Sequence, residues 1–143
     1  MASVHYSMAS EAAEYIINSL PQTISRPRIG IICGSGLGGL VSTFHANPQK
    51  SIPYANIPHF PVSTVEGHES RLVFATMGEK HTEIVAMVGR LHFYEGHDMA
   101  AITLPIRVMR LLGVKIIIST SHLVFLTFSD QCSWRSQYGV LSR

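Results

Sequence analysis

The run of small residues Gly34-Ser35-Gly36-Leu37-Gly38-Gly39 directly follows the apolar stretch Ile29-Gly30-Ile31-Ile32-Cys33. With no bulky side chains in the way, the backbone N–H groups of such a loop can close on an oxyanion, and Ser35 adds a hydroxyl donor. A second cluster, Gly89-Arg90-Leu91-His92-Phe93-Tyr94-Glu95-Gly96, follows another apolar run. In extended chain the period of two puts Arg90 and His92 on one side. A guanidinium presents a planar fork to two oxygens, and an imidazole adds a donor that titrates near neutral pH. Together these residue types suit phosphate. Taken singly, each has a blander reading: glycines that only permit a tight strand-to-helix connection, a surface Arg, a packing His.

Read as Gly34, Gly36 and Gly39, the loop also satisfies the G-x-G-x-x-G pattern of dinucleotide-binding folds. That chemistry needs an acidic residue about 20 positions further on to hold the ribose hydroxyls. Between Glu14 and Glu66 the chain has neither Asp nor Glu. The composition therefore favours direct contact to a small oxyanion over a nicotinamide or flavin.

The elements that would position these residues alternate between helix and strand. Ala12, Ala13, Ile16, Ile17 and Leu20 recur at helical spacing, which predicts a helix from Ser10, as its cap, to a stop at Pro21. Ile29–Cys33 reads as a buried parallel strand, with the glycine-rich loop and a second helix after it. Ser51–Pro53 reads as a short edge strand, and Ile57–Gly67, with Pro58 and Pro61, as irregular loop. Arg71–Met77 and Glu83–Val88, separated by Gly78-Glu79-Lys80, predict a hairpin. Ile102, Ile106, Met109 and Leu112 share a face of a helix over Met99–Leu112, which Gly113 stops and Pro105 enters or kinks. Val114–Ser119 is a further strand, and Ile116–Phe128 reads as a strand with a continuation. The pattern is that of an α/β sheet.

The 143 residues suit one domain, 46% apolar and 14% charged, which argues against disorder. A formal charge of +2 without a basic run offers nothing to a nucleic acid or an anionic membrane. Cys33 and Cys132 form neither a C-x-x-C pair nor a disulfide framework, and His122 with Cys132 makes no metal site, so a reducing setting and no metal are expected. The first ten residues lack the plan of a secretory signal, and the stretch Ile116–Phe128 is too short to span a bilayer. A cytoplasmic location is the expectation.

Ile31–Gly39, then Ile57-Pro58-His59-Phe60-Pro61, Ser63-Thr64-Val65-Glu66-Gly67-His68, Gly89–Gly96, Leu104-Pro105-Ile106-Arg107-Val108 and Leu111-Leu112-Gly113-Val114 resemble, in order and spacing, the landmarks of the trimeric purine nucleoside phosphorylases. The resemblance runs from about Ala12 to Thr120. It implies a partial phosphorylase-like mixed sheet with flanking helices over residues 1–120, and phosphorolysis of purine nucleosides to free base and ribose 1-phosphate. Inorganic phosphate would be the co-substrate, with no other cofactor and no metal. Carried over by motif, Ser35, Arg90 and His92 would bind phosphate, His68 and His92 would serve catalysis, and Tyr94 would reach the ribose. Gly34, Gly36 and Glu95 would support them. The partners implied are phosphate, a purine nucleoside, and other subunits, as a homotrimer or in association with full-length chains.

Where the family runs on into an Asn-Ala-Ala-Gly-Gly turn, this sequence continues Ser121-His122-Leu123-Val124-Phe125. Residues 121–143 form a divergent tail with neither a helical nor a strand period. The family's Glu and Asn for the base and its later phosphate-binding Ser have no counterpart there. The expectation is a chain impaired or inactive alone. A noncatalytic protein that associates with full-length subunits, or an unstable product, are the alternatives.

Overall fold

The computed structural model describes residues 2–34, 36–62, 69–89, 95–120, 124–128 and 134–137. Two α-helices, α1 (Ala2–Ser19) and α2 (Met99–Leu112), accompany seven strands: β1 (Ile29–Cys33), β2 (Gln49–Pro53), β3 (Arg71–Met77), β4 (Thr82–Val88), β5 (Ile116–Ser119), β6 (Val124–Phe128) and β7 (Trp134–Gln137). The strands form one sheet in the order β2-β3-β4-β1-β5-β6-β7. Its centre, β4-β1-β5, is parallel, and all other pairings are antiparallel. The expected α/β mixed sheet with flanking helices is present.

Alternate residues of β3 and β4 feed two apolar clusters. Leu72, Phe74, Val85 and Met87 join Ile16, Val108 and Met109 of the helices in one cluster. Val73, Ala75, Ile84 and Ala86 join Ile31, Cys33 and Phe44 in the other. Burial on both faces accounts for the near-continuous apolar runs in these strands, as in other sheets covered on both sides.

Several elements differ from the sequence reading. α1 begins eight residues before Ser10, which is exposed within the helix and caps nothing. No Gly or Pro interrupts Ala2–Ala9, and Ala9 extends the buried stripe of Ala12, Ala13 and Ile16 by one turn. Ile17, assigned to the apolar face, is 45% exposed. After the glycine loop there is a six-residue 3₁₀ helix, Gly38–Thr43, in place of a second α-helix. Two glycines and two β-branched residues weaken it, and the hydroxyls of Ser42 and Thr43 donate back to Gly39 O and Leu40 O at 2.7 Å.

Pro105 lies in the second turn of α2, and the helix continues through it, with Leu104, Pro105, Val108, Met109 and Leu112 all buried. Asp98 caps the start by accepting from Ala101 N–H at 2.7 Å. Gly113, in the left-handed region at φ 106°, ends the helix, and the N–H groups of Gly113 and Val114 donate to Arg110 O and Met109 O. The last predicted strand is confined to Ile116–Ser119, and the stretch read as its continuation is a separate antiparallel strand, β6. The tail, expected to lack a strand period, thus contributes β6 and β7 to the sheet.

Candidate active site

Parallel pairing fixes which loops meet. Cys33, the last residue of β1, is opposite Val88, the last of β4, and Ile32 is opposite Ser119, the last of β5. The segments after these three strands therefore leave the sheet at one edge, where open α/β sheets bind their ligands. β3 runs the other way, and its first residue, Arg71, is opposite Val88, so residues 69–70 arrive at the same edge.

Of the residues singled out from the sequence, Gly34, Gly36 and Glu95 are described. Ser35, His68, Arg90, His92 and Tyr94 lie outside the described residues. Their described neighbours Gly34, Glu69 and Gly89 adjoin this edge.

The glycine loop is held from behind. Gly34 N–H donates to Thr120 Oγ1 at 2.8 Å, and that hydroxyl donates to Ile32 O at 2.9 Å. Gly34 N–H is thus engaged within the protein. Leu37 N–H donates to Gly34 O at 3.1 Å across a turn in which Gly36 has φ +80°. A Cβ built on Gly36 or Gly39 would meet no atom of the described residues within 4 Å. Gly36 is needed for its backbone conformation. The dinucleotide reading fails on a second ground, because the loop leads into a short 3₁₀ helix where that fold needs a full α-helix.

A second set of contacts joins β3 and β4 at the edge. Tyr54, fully buried, donates its N–H to Ser70 O at 2.9 Å and its hydroxyl to Gly89 O at 2.7 Å. Its ring meets Phe60 edge-on with centroids 5.4 Å apart. Arg71 is turned to Glu69, with Nε and Nη2 at 2.9 and 2.6 Å from Oε2, so its charge is balanced locally. Burial pushes the Cys33 thiol up, against the lesser opposing effect of Arg71, which keeps it protonated and a poor nucleophile. Among the described residues no group of three or more His, Cys, Asp or Glu could hold a metal ion.

Neither Thr120 nor Tyr54 carries a sequence signal of its own: Thr120 is the last residue of the resemblance, and Tyr54 follows an expected edge strand.

The family model of the phosphorylase superfamily matches residues 28–122, a span that takes in the glycine loop, β3, β4, α2 and β5. The chain belongs to that superfamily. Within it, the chain is similar to a putative purine nucleoside phosphorylase of Schizosaccharomyces pombe, 47% identical over 116 residues that cover 81% of this chain and 36% of that protein. It is 48% identical to purine nucleoside phosphorylase 1 of Bacillus subtilis over 110 residues, 77% of this chain and 38% of that one. Among solved structures, isoform 2 of purine nucleoside phosphorylase from Schistosoma mansoni, in complex with cytosine and ribose-1-phosphate, aligns with a TM-score of 0.68 and 49% identity. That alignment covers 80% of this chain and 38% of the other. This phosphorylase-superfamily chain thus spans somewhat over a third of the length of these relatives. No helix among its described residues is long and apolar enough to cross a membrane.

Proposed function

We propose that this chain supplies the phosphate-binding part of a purine nucleoside phosphorylase site. The observation that supports the reading is the register of β1, β3, β4 and β5, which brings Gly34, Glu69 and Gly89, the described chain neighbours of Ser35, His68 and Arg90, to one edge in a chain of this superfamily. In this reading Ser35, Arg90 and His92 bind phosphate, with His68 beside them. Tyr94 meets the ribose and Glu95 supports the turn that follows.

The reaction is displacement at the anomeric carbon. A phosphate oxygen forms the new C–O bond as the bond to the purine nitrogen breaks, and that electron pair leaves with the base, which takes up a proton. Positive charge builds on the ribose in the transition state, so the bound dianion both reacts and stabilises that charge. Holding phosphate in line is most of the contribution these residues make. The donors that stabilise the departing purine belong, by resemblance, to the part of the relatives beyond this chain's match. Phosphate is the nucleophile, and the reading invokes no metal or organic cofactor. The reading also places the protein in the cytoplasm, as a subunit of a homotrimer or of an assembly with longer chains.

The test follows inosine cleavage by the purified 143-residue chain at saturating phosphate, beside an Arg90→Ala control. The expected result is no Arg90-dependent turnover, together with phosphate-dependent protection from thermal unfolding in the wild type alone. Turnover abolished by Arg90→Ala would contradict the assignment of the purine half-site to residues elsewhere. Equal protection of both proteins would contradict the phosphate site.

A further inference from the structure

Tyr54 spans two connections at the carboxyl edge. Ser70, which accepts from its N–H, is the last residue before β3, and Gly89, which accepts from its hydroxyl, is the first after β4. At this point the two connections touch. Gly89 has φ +84°, and a Cβ built there would overlap the carbonyl oxygen of Glu69. His68 precedes Glu69 in the chain and Arg90 follows Gly89. The Tyr54 ring is fixed by burial and by Phe60, so its hydroxyl has a set direction.

We propose that Tyr54 is a positioning residue of the phosphate site, whose hydroxyl fixes the path by which the chain leaves β4 at Gly89, the residue before Arg90. This rests on the reading of the edge as a phosphate site. Burial, with Cys33 as the lesser cause, holds the phenol far above its ordinary ionisation range, so the hydroxyl stays a donor under all working conditions. Tyr54→Phe keeps the ring and deletes only that donor.

Calorimetric titration of the full chain with inorganic phosphate tests this. Tyr54→Phe is expected to weaken phosphate binding about tenfold, the loss of a charge-orienting contact at one remove. Phe60→Leu, which loosens the ring packing and keeps the hydroxyl, should change affinity by less than about twofold while lowering the melting temperature. In an Arg90→Lys background, where the fork is already gone, Tyr54→Phe should cost less than about threefold, because the two residues act through one contact. Equal affinity of wild type and Tyr54→Phe overturns the proposal, as does the same loss in both backgrounds. A wild type that does not bind phosphate overturns the underlying reading and the proposal with it, and is distinguishable from either. Should Tyr54→Phe fail to fold, hydrogen exchange on the wild type decides: bound phosphate must slow exchange of the Tyr54 amide together with that of Arg90, and an unaffected Tyr54 amide overturns the proposal.

Discussion

At the scale of single residues, Thr120 does the most for the glycine loop. Its hydroxyl uses a lone pair for Gly34 N–H and its proton for Ile32 O, so both capacities are spent on the loop and the strand before it. Thr120→Val keeps the shape and leaves a partly buried N–H without its partner, which should cost about 1–3 kcal/mol. Urea denaturation checks this as a lower midpoint at unchanged slope, with Thr120→Ser restoring most of the loss. An unchanged midpoint would mean that the loop holds its form without the hydroxyl. Arg90, His92 and Ser35 suggest phosphate by type and spacing, and that much of the proposed site is legible in the sequence. Thr120 and Tyr54 do not, because Thr120 bonds Gly34 86 positions away and Tyr54 bonds Gly89 35 positions away, and only strand register brings either pair together.

At the scale of elements, the pair His59 Nε2 to Glu11 Oε2 at 2.8 Å ties α1 to the 57–62 loop that leads toward the site. The hydrogen bond from His59, and then that from Ser7, holds the Glu11 carboxyl below its ordinary value of 4.5, against a smaller opposing effect of burial. A carboxylate whose folded pKa lies below its unfolded one stabilises fully above the unfolded value, and that contribution is lost as pH falls through the folded value. Glu11→Gln should therefore flatten the acid limb of the stability profile below pH 4.5 and change little at neutral pH, since the pair is exposed. Urea midpoints across a pH series check it, and superimposed acid limbs would show that the pair contributes nothing. The hairpin of β3 and β4 and the bounds of α2 were legible because Gly78 and Gly113 coincide with positive-φ positions that end a strand and a helix. The start of α1 and the 3₁₀ helix were not. One depends on an extra buried turn against the core, the other on side-chain hydroxyls that compete for helix carbonyls. Pro105 in α2 shows packing on one face overriding a local breaker.

At the scale of the molecule, successive residues of β3 and β4 serve opposite clusters, so neither face can loosen without the other. Trp134 fluorescence and far-ultraviolet circular dichroism should report one transition in urea. Phe74→Ala, which truncates a fully buried side chain, should lower stability by about 3–5 kcal/mol and move both probes together. Separate transitions would show two units, or an unstable product of the kind the apolar composition allows. One edge of the sheet is proposed to hold phosphate, in a chain spanning somewhat over a third of its relatives' length. Calorimetric titration of the wild-type chain and of Arg90→Ala with inorganic phosphate, at matched ionic strength, tests that most directly. Saturable binding by the wild type that is lost in Arg90→Ala is the predicted result, and no binding by the wild type, or equal binding by both, would contradict it.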